Sequence, residues 1–303
     1  MSKINAGTGR SLPGKEQFKL RLFYWLTVLS PRLSTIVQYR AANGCMPDLR
    51  HPETFAEKLS WLKLNSYADN ALVSQCADKL RVRDYVRECG CGEFLNELYA
   101  VYDSPEEIVW ELLPKQYVLK WNFGCGFNIL CDGSDSFDRK EAMRRLRVWQ
   151  KIKYWNFHGE MQYRGIEPKI LCERFLDVPS GDDLIDYKFY AFSGKVKAIL
   201  VIARKAGQAE CAVFMTPEWE YLSDIPSRYF ASFYPERPPS LAQMLEASEK
   251  MAVPFPFVRV DFYEFEGKPV FGELTFTPAA ALNPSECKIE GKTMGEWLVL
   301  PDA

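Results

Sequence analysis

The last third of the chain contains two stretches of alternating apolar and polar residues, at 258–263 and 271–278. Such alternation predicts strands with one buried face, and residues 266–269 between them (Glu-Gly-Lys-Pro) have the composition of a turn. The predicted hairpin carries Asp261 and Glu273 at corresponding places on adjacent strands. Adjacent carboxylates repel each other, and their oxygens favour magnesium as the neutralising cation. The alternative is a solvated face with two ordinary acids.

The composition limits the class of protein. The 303 residues fit one large domain or two to three small ones. A hydrophobic content of 47% and a charged content of 26% are typical of a globular protein. The net charge of −2 argues against a broad nucleic-acid-binding surface, although the 38 lysines and arginines allow a local basic groove.

The cysteines and histidines argue against a zinc site. None of the nine cysteines forms a C-x-x-C pair, and the chain has only two histidines. An odd number of thiols without a regular framework predicts a reducing cytoplasm, and the sequence shows no cleavable signal.

One apolar run, residues 22–29, is too short to span a bilayer. Lys15, Lys19, Arg21 and Arg32 surround it. The pattern favours a buried helix over a helix that lies on a membrane, and peripheral contact with the inner membrane surface stays open as the alternative.

The pattern of predicted helices and strands divides the chain into three regions. Residues 1–112 form a mainly helical region after a loose tail, and Thr54 and Glu57 form a capping-box signature within it. Residues 113–176 contain predicted strands and one basic helix. Residues 177–303 contain further strands, a helix and the final hairpin.

A glycine-bearing loop joins two predicted strands, 117–121 and 128–131. Lys120 lies near the end of the first strand, and Gly124 and Gly126 lie in the loop. Glycines let backbone N–H groups approach an anion closely, and a lysine adds a positive charge. The arrangement suits a phosphate site, although an ordinary hairpin turn has the same composition.

Two further basic residues lie on predicted strands. Alternation puts Asp186, Lys188 and Tyr190 on one face of a strand. Arg204 ends the next apolar strand, where an arginine can bind a carboxylate or phosphate through two hydrogen bonds or simply mark the solvent edge.

The order of these features resembles the ATP-grasp superfamily, and most closely its TupA-like branch, which is found in cell-surface polysaccharide gene clusters, such as those for capsules. The resemblance extends over roughly residues 45–300. It rests on these segments: 51–63, Ala77-Asp78-Lys79 with Arg83 and Val86, 117–122 with Gly124, Gly126 and Asn128, 186–189, 255–261 and 272–276. It implies an α+β fold in which two antiparallel-sheet subdomains, 113–176 and 177–303, clasp ATP after the helical region.

The resemblance also implies an activity. ATP-grasp enzymes of this kind are ADP-forming carboxylate–amine ligases that use ATP and Mg²⁺. The carboxylate attacks the γ-phosphate to give an acyl phosphate, and an amine then displaces phosphate to leave an amide. The partners implied are a small-molecule or glycan carboxylate, such as a uronic acid, and an amine, with no nucleic acid.

The resemblance assigns roles to residues of this chain. The catalytic set is Lys188, Arg204 and Arg259. The ATP-binding set is Lys120, Asn122, Gly124, Gly126, Asn128, Glu173, Arg174, Phe175, Asp182 and Asp183. The metal set is Asp261, Glu273 and Thr275, where Thr275 replaces the asparagine of many superfamily members and leaves the number of magnesium ions open. Cys125 stands where a small hydroxyl residue is frequent, and we interpret it as a tolerated substitute.

Three other functions fit parts of the pattern. A sugar kinase would use the same ATP site but needs a base for the hydroxyl, and no histidine is convincingly placed for it. A glycosyltransferase usually has Asp-x-Asp, which the chain lacks, since the nearest approach, Asp132 and Asp135, has two residues between the acids. A non-catalytic nucleotide-binding protein would have no need of intact Lys120, Lys188, Asp261 and Glu273.

Overall fold

The computed structural model describes residues 14–177, 184–205, 208–222, 230–231 and 235–301. The helices of these residues are α1 Gly14–Leu29, α2 Pro31–Asn43, α3 Phe55–Leu64, α4 Ala71–Ala77, α5 Val82–Glu88, α6 Arg139–Gln150, α7 Trp155–His158, α8 Leu241–Ala252 and α9 Met294–Trp297. None of the described helices is long and apolar enough to cross a membrane.

Four strands form the first sheet, in the order β1-β4-β2-β3 and all antiparallel. Their bounds are β1 Leu98–Tyr102, β2 Tyr117–Trp121, β3 Asn128–Cys131 and β4 Ile170–Arg174. The predicted division at residue 112 stays a prediction. β1 lies before it, in the region predicted as mainly helical, and pairs with β4, with alternate residues half-buried.

Six strands form the second sheet, in the order β10-β9-β5-β6-β7-β8 and again antiparallel. Their bounds are β5 Asp186–Phe192, β6 Lys195–Lys205, β7 Gln208–Met215, β8 Phe230–Ala231, β9 Phe257–Phe265 and β10 Lys268–Thr275. A small hairpin of β11 Lys288–Ile289 and β12 Lys292–Thr293 follows.

The local signals of the sequence explain the element boundaries near the site. The Thr54 hydroxyl accepts from the Glu57 N–H, and the Glu57 carboxylate accepts from the Thr54 N–H, which is the predicted capping box at the start of α3. Glu266 and Gly267 have φ of 53° and 73° and make the tight turn between β9 and β10. The turn is shorter than predicted, because Lys268 and Pro269 already belong to β10.

Each sheet has its own hydrophobic core. Helices α3, α4, α5 and α8 contribute to the core of the six-stranded sheet, and α6 covers the four-stranded sheet. The predicted α+β class with two antiparallel sheets is therefore confirmed. One face of β5, β9 and β10 carries charged side chains instead of core residues.

Candidate active site

Two rows of side chains cross three adjacent strands of the six-stranded sheet. In the first row Lys188 on β5 lies opposite Asp261 on β9, which lies opposite Glu273 on β10. In the second row Arg259 on β9 lies between Tyr190 and Thr275. Residues two apart on a strand share a face. The face of the sheet that carries Lys188 therefore also carries Asp261, Glu273 and Arg259.

A bulge at Gly272 decides this register. Phe271 pairs with Phe262, but Glu273 pairs with Asp261, so one extra residue lies between the two pairs on β10. A regular ladder would put Glu273 opposite Val260, which is fully buried. The Gly272 position is crowded, because a Cβ atom there would lie 3.0 Å from the Asp261 carbonyl oxygen.

Asp261 is the centre of a buried charge cluster. Arg259 binds it with two hydrogen bonds, from Nε to Oδ1 and from Nη2 to Oδ2, both 2.6 Å long. Lys188 Nζ donates to Oδ2 at 2.8 Å and lies 3.5 Å from Asp186. Burial by itself would raise the pKa of Asp261, but Arg259 and Lys188 outweigh it and hold the pKa below its usual value.

Glu273 is the open member of the acidic pair. Its side chain is 34% exposed, whereas that of Asp261 is 8% exposed. Lys79 Nζ lies 3.6 Å from Oε2, Arg259 Nη2 lies 3.6 Å from Oε1, and the Thr275 hydroxyl donates to Oε1 at 3.2 Å. Glu273 is thus the carboxylate that a ligand in solvent can reach.

The glycine loop between β2 and β3 lies over this cluster. Lys79 Nζ donates to the Gly124 carbonyl at 2.5 Å, so one lysine joins the loop to Glu273. Gly124 and Gly126 have φ of 68° and 81°, a region that favours glycine. A Cβ atom on Gly124 would lie 2.6 Å from the Tyr154 ring. The loop tip, Cys125 and Gly126, is exposed.

A second ion pair lies in the four-stranded sheet. Lys120 Nζ is 2.6 Å from Glu173 Oε2, and Arg83 Nη1 is 3.5 Å from Oε1. Glu173 is buried, with 7% of its side chain exposed. Asn128 is exposed on β3, directly opposite Lys120.

Two predicted ATP-binding residues have structural hydrogen bonds. The buried Asn122 amide donates to the Glu167 carbonyl and accepts from the Lys169 N–H, both at 2.9 Å. Asn122 therefore holds the base of the glycine loop, and its side chain is already satisfied. The Arg174 N–H donates to the Glu97 carbonyl, and the Arg174 carbonyl accepts from the Asn96 amide, both at 2.9 Å.

The roles of all the predicted site residues stay predictions, and for three of them the structure describes no side chain. Asp182 and Asp183 lie outside the described residues. For Arg204 the structure describes the backbone, which pairs with Ala209 near the end of β6, but not the side chain.

The acidic pair fits a magnesium ion by its chemistry. Asp261 and Glu273 supply carboxylate oxygens and Thr275 supplies a hydroxyl, and sets of oxygen donors suit magnesium. The sequence predicted a metal ion as the neutralising cation, and in the structure Lys188 and Arg259 carry that charge. Among the described residues, no group of three or more histidine, cysteine, aspartate or glutamate side chains is arranged to hold a metal. The magnesium site remains a prediction.

Three charged residues outside the predicted site set lie against it: Lys79, Arg83 and Asp186. Each is within ion-pair distance of a predicted site residue: Glu273, Glu173 and Lys188, respectively. Lys79 and Arg83 belong to the segments that carried the family resemblance, which was the available signal for them. Their contacts join α4 and α5 to strands that are far away in sequence.

A buried polar network lies beside the cluster. Lys63 is fully buried and donates to the carbonyls of His158 and Ala280, at 2.9 and 3.1 Å. Burial lowers the pKa of Lys63 to about 8, although Glu160 opposes the shift. Ala279, Ala280 and Ala281 all have positive φ, between 51° and 62°, so Lys63 stabilises a strained turn that follows β10.

The family model of the TupA-like ATP-grasp proteins matches residues 57–298. The chain belongs to this family. The match includes both sheets and all the described site residues, and it confirms the resemblance that the sequence motifs gave. A comparison with curated proteins gives no match.

Several solved structures are similar to the chain at low identity. A D-alanine–D-alanine ligase from Bacillus anthracis complexed with ATP is 16% identical, with a TM-score of 0.40, over 73% of this chain and 57% of that chain. An L-amino acid ligase from Bacillus licheniformis is 16% identical, with a TM-score of 0.40, over 67% of this chain and 40% of that chain. An N5-carboxyaminoimidazole synthetase from Staphylococcus aureus is 11% identical, with a TM-score of 0.42, over 73% and 50%. The chain therefore spans 40–57% of the length of these proteins.

Proposed function

We propose that the protein is an ATP-dependent carboxylate–amine ligase that forms an amide through an acyl phosphate and releases ADP. The observation that carries the proposal is the row Lys188–Asp261–Glu273 beneath the glycine loop, with Lys79 in contact with both sides. Transfer of a phosphoryl group needs positioning and charge neutralisation more than covalent help from the protein. Membership of the TupA-like ATP-grasp family supports the same reading.

ATP would lie between the two sheets. Lys120 and Lys188 now bind Glu173 and Asp261, and their ammonium groups would exchange part of that contact for phosphate oxygens. Glu173 and the backbone of Phe175 would receive the adenine. Asn128, Asp182 and Asp183 complete the proposed nucleotide contacts, the last two for the ribose hydroxyls.

Asp261, Glu273 and Thr275 would hold magnesium, which when bound supplies positive charge that offsets the charge of the phosphates. Arg259 and Arg204 are the proposed contacts for the transferring phosphate or the carboxylate. The loop with Gly124 and Gly126 would exclude the water that hydrolyses an acyl phosphate.

For the substrate class we propose a uronic acid of a cell-surface polysaccharide or its precursor, together with an amine. The support is the resemblance to proteins of polysaccharide gene clusters. We propose a reducing cytoplasm as the location, since all nine cysteines are free thiols. We also propose contact with the inner membrane surface, which the apolar and basic segment 15–32 supports.

Trapping by hydroxylamine tests the reaction class. The protein is incubated with ATP, magnesium and a panel of uronic acids, without an amine, and the acyl phosphate is intercepted as a hydroxamate. The expected result is hydroxamate and ADP in equal amounts, dependent on the acid. An amine in place of hydroxylamine should give an amide of the corresponding mass.

Glu273→Gln is the matched control, and it should remove the hydroxamate signal. A stable phosphate ester that resists hydroxylamine would identify a sugar kinase instead. Transfer from a nucleotide sugar without consumption of ATP would identify a glycosyltransferase. Either result would overturn the ligase.

A further inference from the structure

The buried face of the α1–α2 hairpin is largely polar. Besides Phe23 and Tyr39, it carries Thr27, Ser34, Thr35 and Gln38. The Thr27 and Ser34 hydroxyls are 2.7 Å apart, and Gln38 Nε2 donates to Ser34 Oγ at 2.8 Å and to the Phe157 carbonyl at 3.0 Å. These hydrogen bonds satisfy Thr27, Ser34 and Gln38, whereas the buried Thr35 hydroxyl makes no hydrogen bond. They fix which face of each helix points outward.

The outward face of the same hairpin is apolar. Six large hydrophobic side chains on it are 39–82% exposed: Leu22, Trp25, Val28, Leu29, Leu33 and Val37. Leu22, Trp25 and Leu29 are separated by three and four residues, and so are aligned along one side of α1, while Leu33 and Val37 are aligned along α2. Single exposed apolar residues are normal, but a continuous group of this size marks an interaction surface. The sequence favoured burial of this run, and the structure contradicts that for its outward side chains.

The charge of this segment indicates the partner. The hairpin, residues 14–43, contains five basic residues, Lys15, Lys19, Arg21, Arg32 and Arg40, and one acidic residue, Glu16, in a chain whose net charge is −2. Arg32 and Arg40 are exposed on α2, beside the apolar group. A surface that binds another protein usually carries both acidic and basic residues. Apolar side chains, a tryptophan and an excess of positive charge together suit an anionic lipid surface.

We propose that the outward face of the α1–α2 hairpin is a peripheral membrane site that lies on an anionic bilayer. Leu22, Trp25, Leu29, Leu33 and Val37 enter the boundary between headgroups and acyl chains, and Arg32 and Arg40 contact lipid phosphates. The surface supplies a means for the location in the proposed function. It stands independently of the proposed chemistry, because lipid binding needs no nucleotide or substrate.

Co-sedimentation of the full chain with vesicles tests the site. The probes are vesicles of phosphatidylcholine alone and of phosphatidylcholine with about one third phosphatidylglycerol. We expect binding to the anionic vesicles that weakens as salt is added. Trp25→Ser with Leu29→Ser should lower the partition coefficient by about tenfold or more. Arg32→Gln and Arg40→Gln should each lower it by about fivefold on anionic vesicles only.

The matched control is Leu112→Ser with Val253→Ser, which removes two other exposed apolar side chains, 80% and 69% exposed, at different sites. It should bind as the parent does, and thermal unfolding of both double variants should match the parent. Absence of binding to anionic vesicles would overturn the proposal, as would binding that Trp25→Ser with Leu29→Ser leaves intact. Dimerisation that this variant abolishes, without vesicle binding, would assign the face to a second copy of the chain instead.

Discussion

Lys188 and Asp261 are direct partners across strands β5 and β9, with Nζ 2.8 Å from Oδ2. Both side chains are largely buried, with 13% and 8% exposed. Arg259 donates two further hydrogen bonds to the same carboxylate. Because Asp261 has two cationic partners, loss of Lys188 leaves the carboxylate paired, whereas loss of Asp261 leaves two cations without it.

The first prediction concerns the two lysines proposed to bind phosphate. Lys120→Ala and Lys188→Ala should each weaken ATP binding or turnover by about tenfold or more, because one charge-assisted contact is lost, which costs about 1.5–3 kcal/mol. Equilibrium nucleotide binding and ADP release measure the effect. Lys195→Ala is the matched control, since this lysine lies on β6 of the same sheet as Lys188, is 70% exposed and pairs with Glu249 on α8. Parent-like binding in both Lys120→Ala and Lys188→Ala would rule out these two contacts.

The second prediction separates the two carboxylates. Glu273→Gln should remove magnesium-dependent activity with little loss of stability, because Glu273 is a third exposed. Asp261→Asn should remove the same activity and also cost about 3 kcal/mol or more in the free energy of unfolding, since Arg259 and Lys188 lose a buried counter-charge. Magnesium titration of ADP release and urea unfolding give the two readings. Equal stability of the two variants would contradict the buried cluster.

The acidic pair of Asp261 and Glu273 shows which parts of the site can be predicted from the sequence. Alternation predicted both strands and the shared face of Asp261 and Glu273, and the structure confirms that they are partners. The two-residue turn at Glu266 and Gly267 by itself sets a register that would put Glu273 opposite Val260. The bulge at Gly272 corrects that register, and a lone glycine in a strand pattern only suggests a bulge.

The third prediction tests the bulge. Gly272→Ala puts a Cβ atom 3.0 Å from the Asp261 carbonyl oxygen, so the two strands must separate or shift. We expect a loss of about 1–3 kcal/mol in the free energy of unfolding and a drop in magnesium-dependent turnover. Gly165→Ala is the control, because a Cβ atom there would meet nothing within 4 Å. Indistinguishable unfolding curves for the two variants would show that the bulge accommodates a Cβ atom at position 272 without loss of stability.

Contacts between distant segments were the part that the sequence could not supply. Lys79 follows α4 and yet binds Gly124 and Glu273, which are 45 and 194 residues away in sequence. Asn122 lies beside the glycine loop and was predicted to bind ATP, but its side chain makes hydrogen bonds to the backbone of Glu167 and Lys169. Periodicity reports which face a residue occupies on its own strand, and it carries no information on which distant backbone that face meets.

The last prediction concerns Lys63 and pH. Burial lowers its pKa to about 8, below the ordinary value of 10.5. Between these two values the unfolded chain binds more protons at this residue than the folded protein, so the free energy of unfolding rises with pH. Below about pH 8 the folded protein bears the full cost of a buried ammonium group, and the cost is relieved as the pH rises toward about 10.

Lys63→Met removes the titrating group, so the comparison isolates it. The free energy of unfolding of the parent minus that of Lys63→Met should increase by about 2–3 kcal/mol between about pH 7 and pH 10, since a pKa difference of one unit corresponds to about 1.4 kcal/mol. Urea unfolding at closely spaced pH values gives the difference. The lost hydrogen bonds to His158 and Ala280 shift the Lys63→Met curve by a constant amount. The change of the free-energy difference with pH therefore comes from the Lys63 ammonium group. Parallel curves for the parent and Lys63→Met would mean that the buried ammonium group is not destabilised at neutral pH.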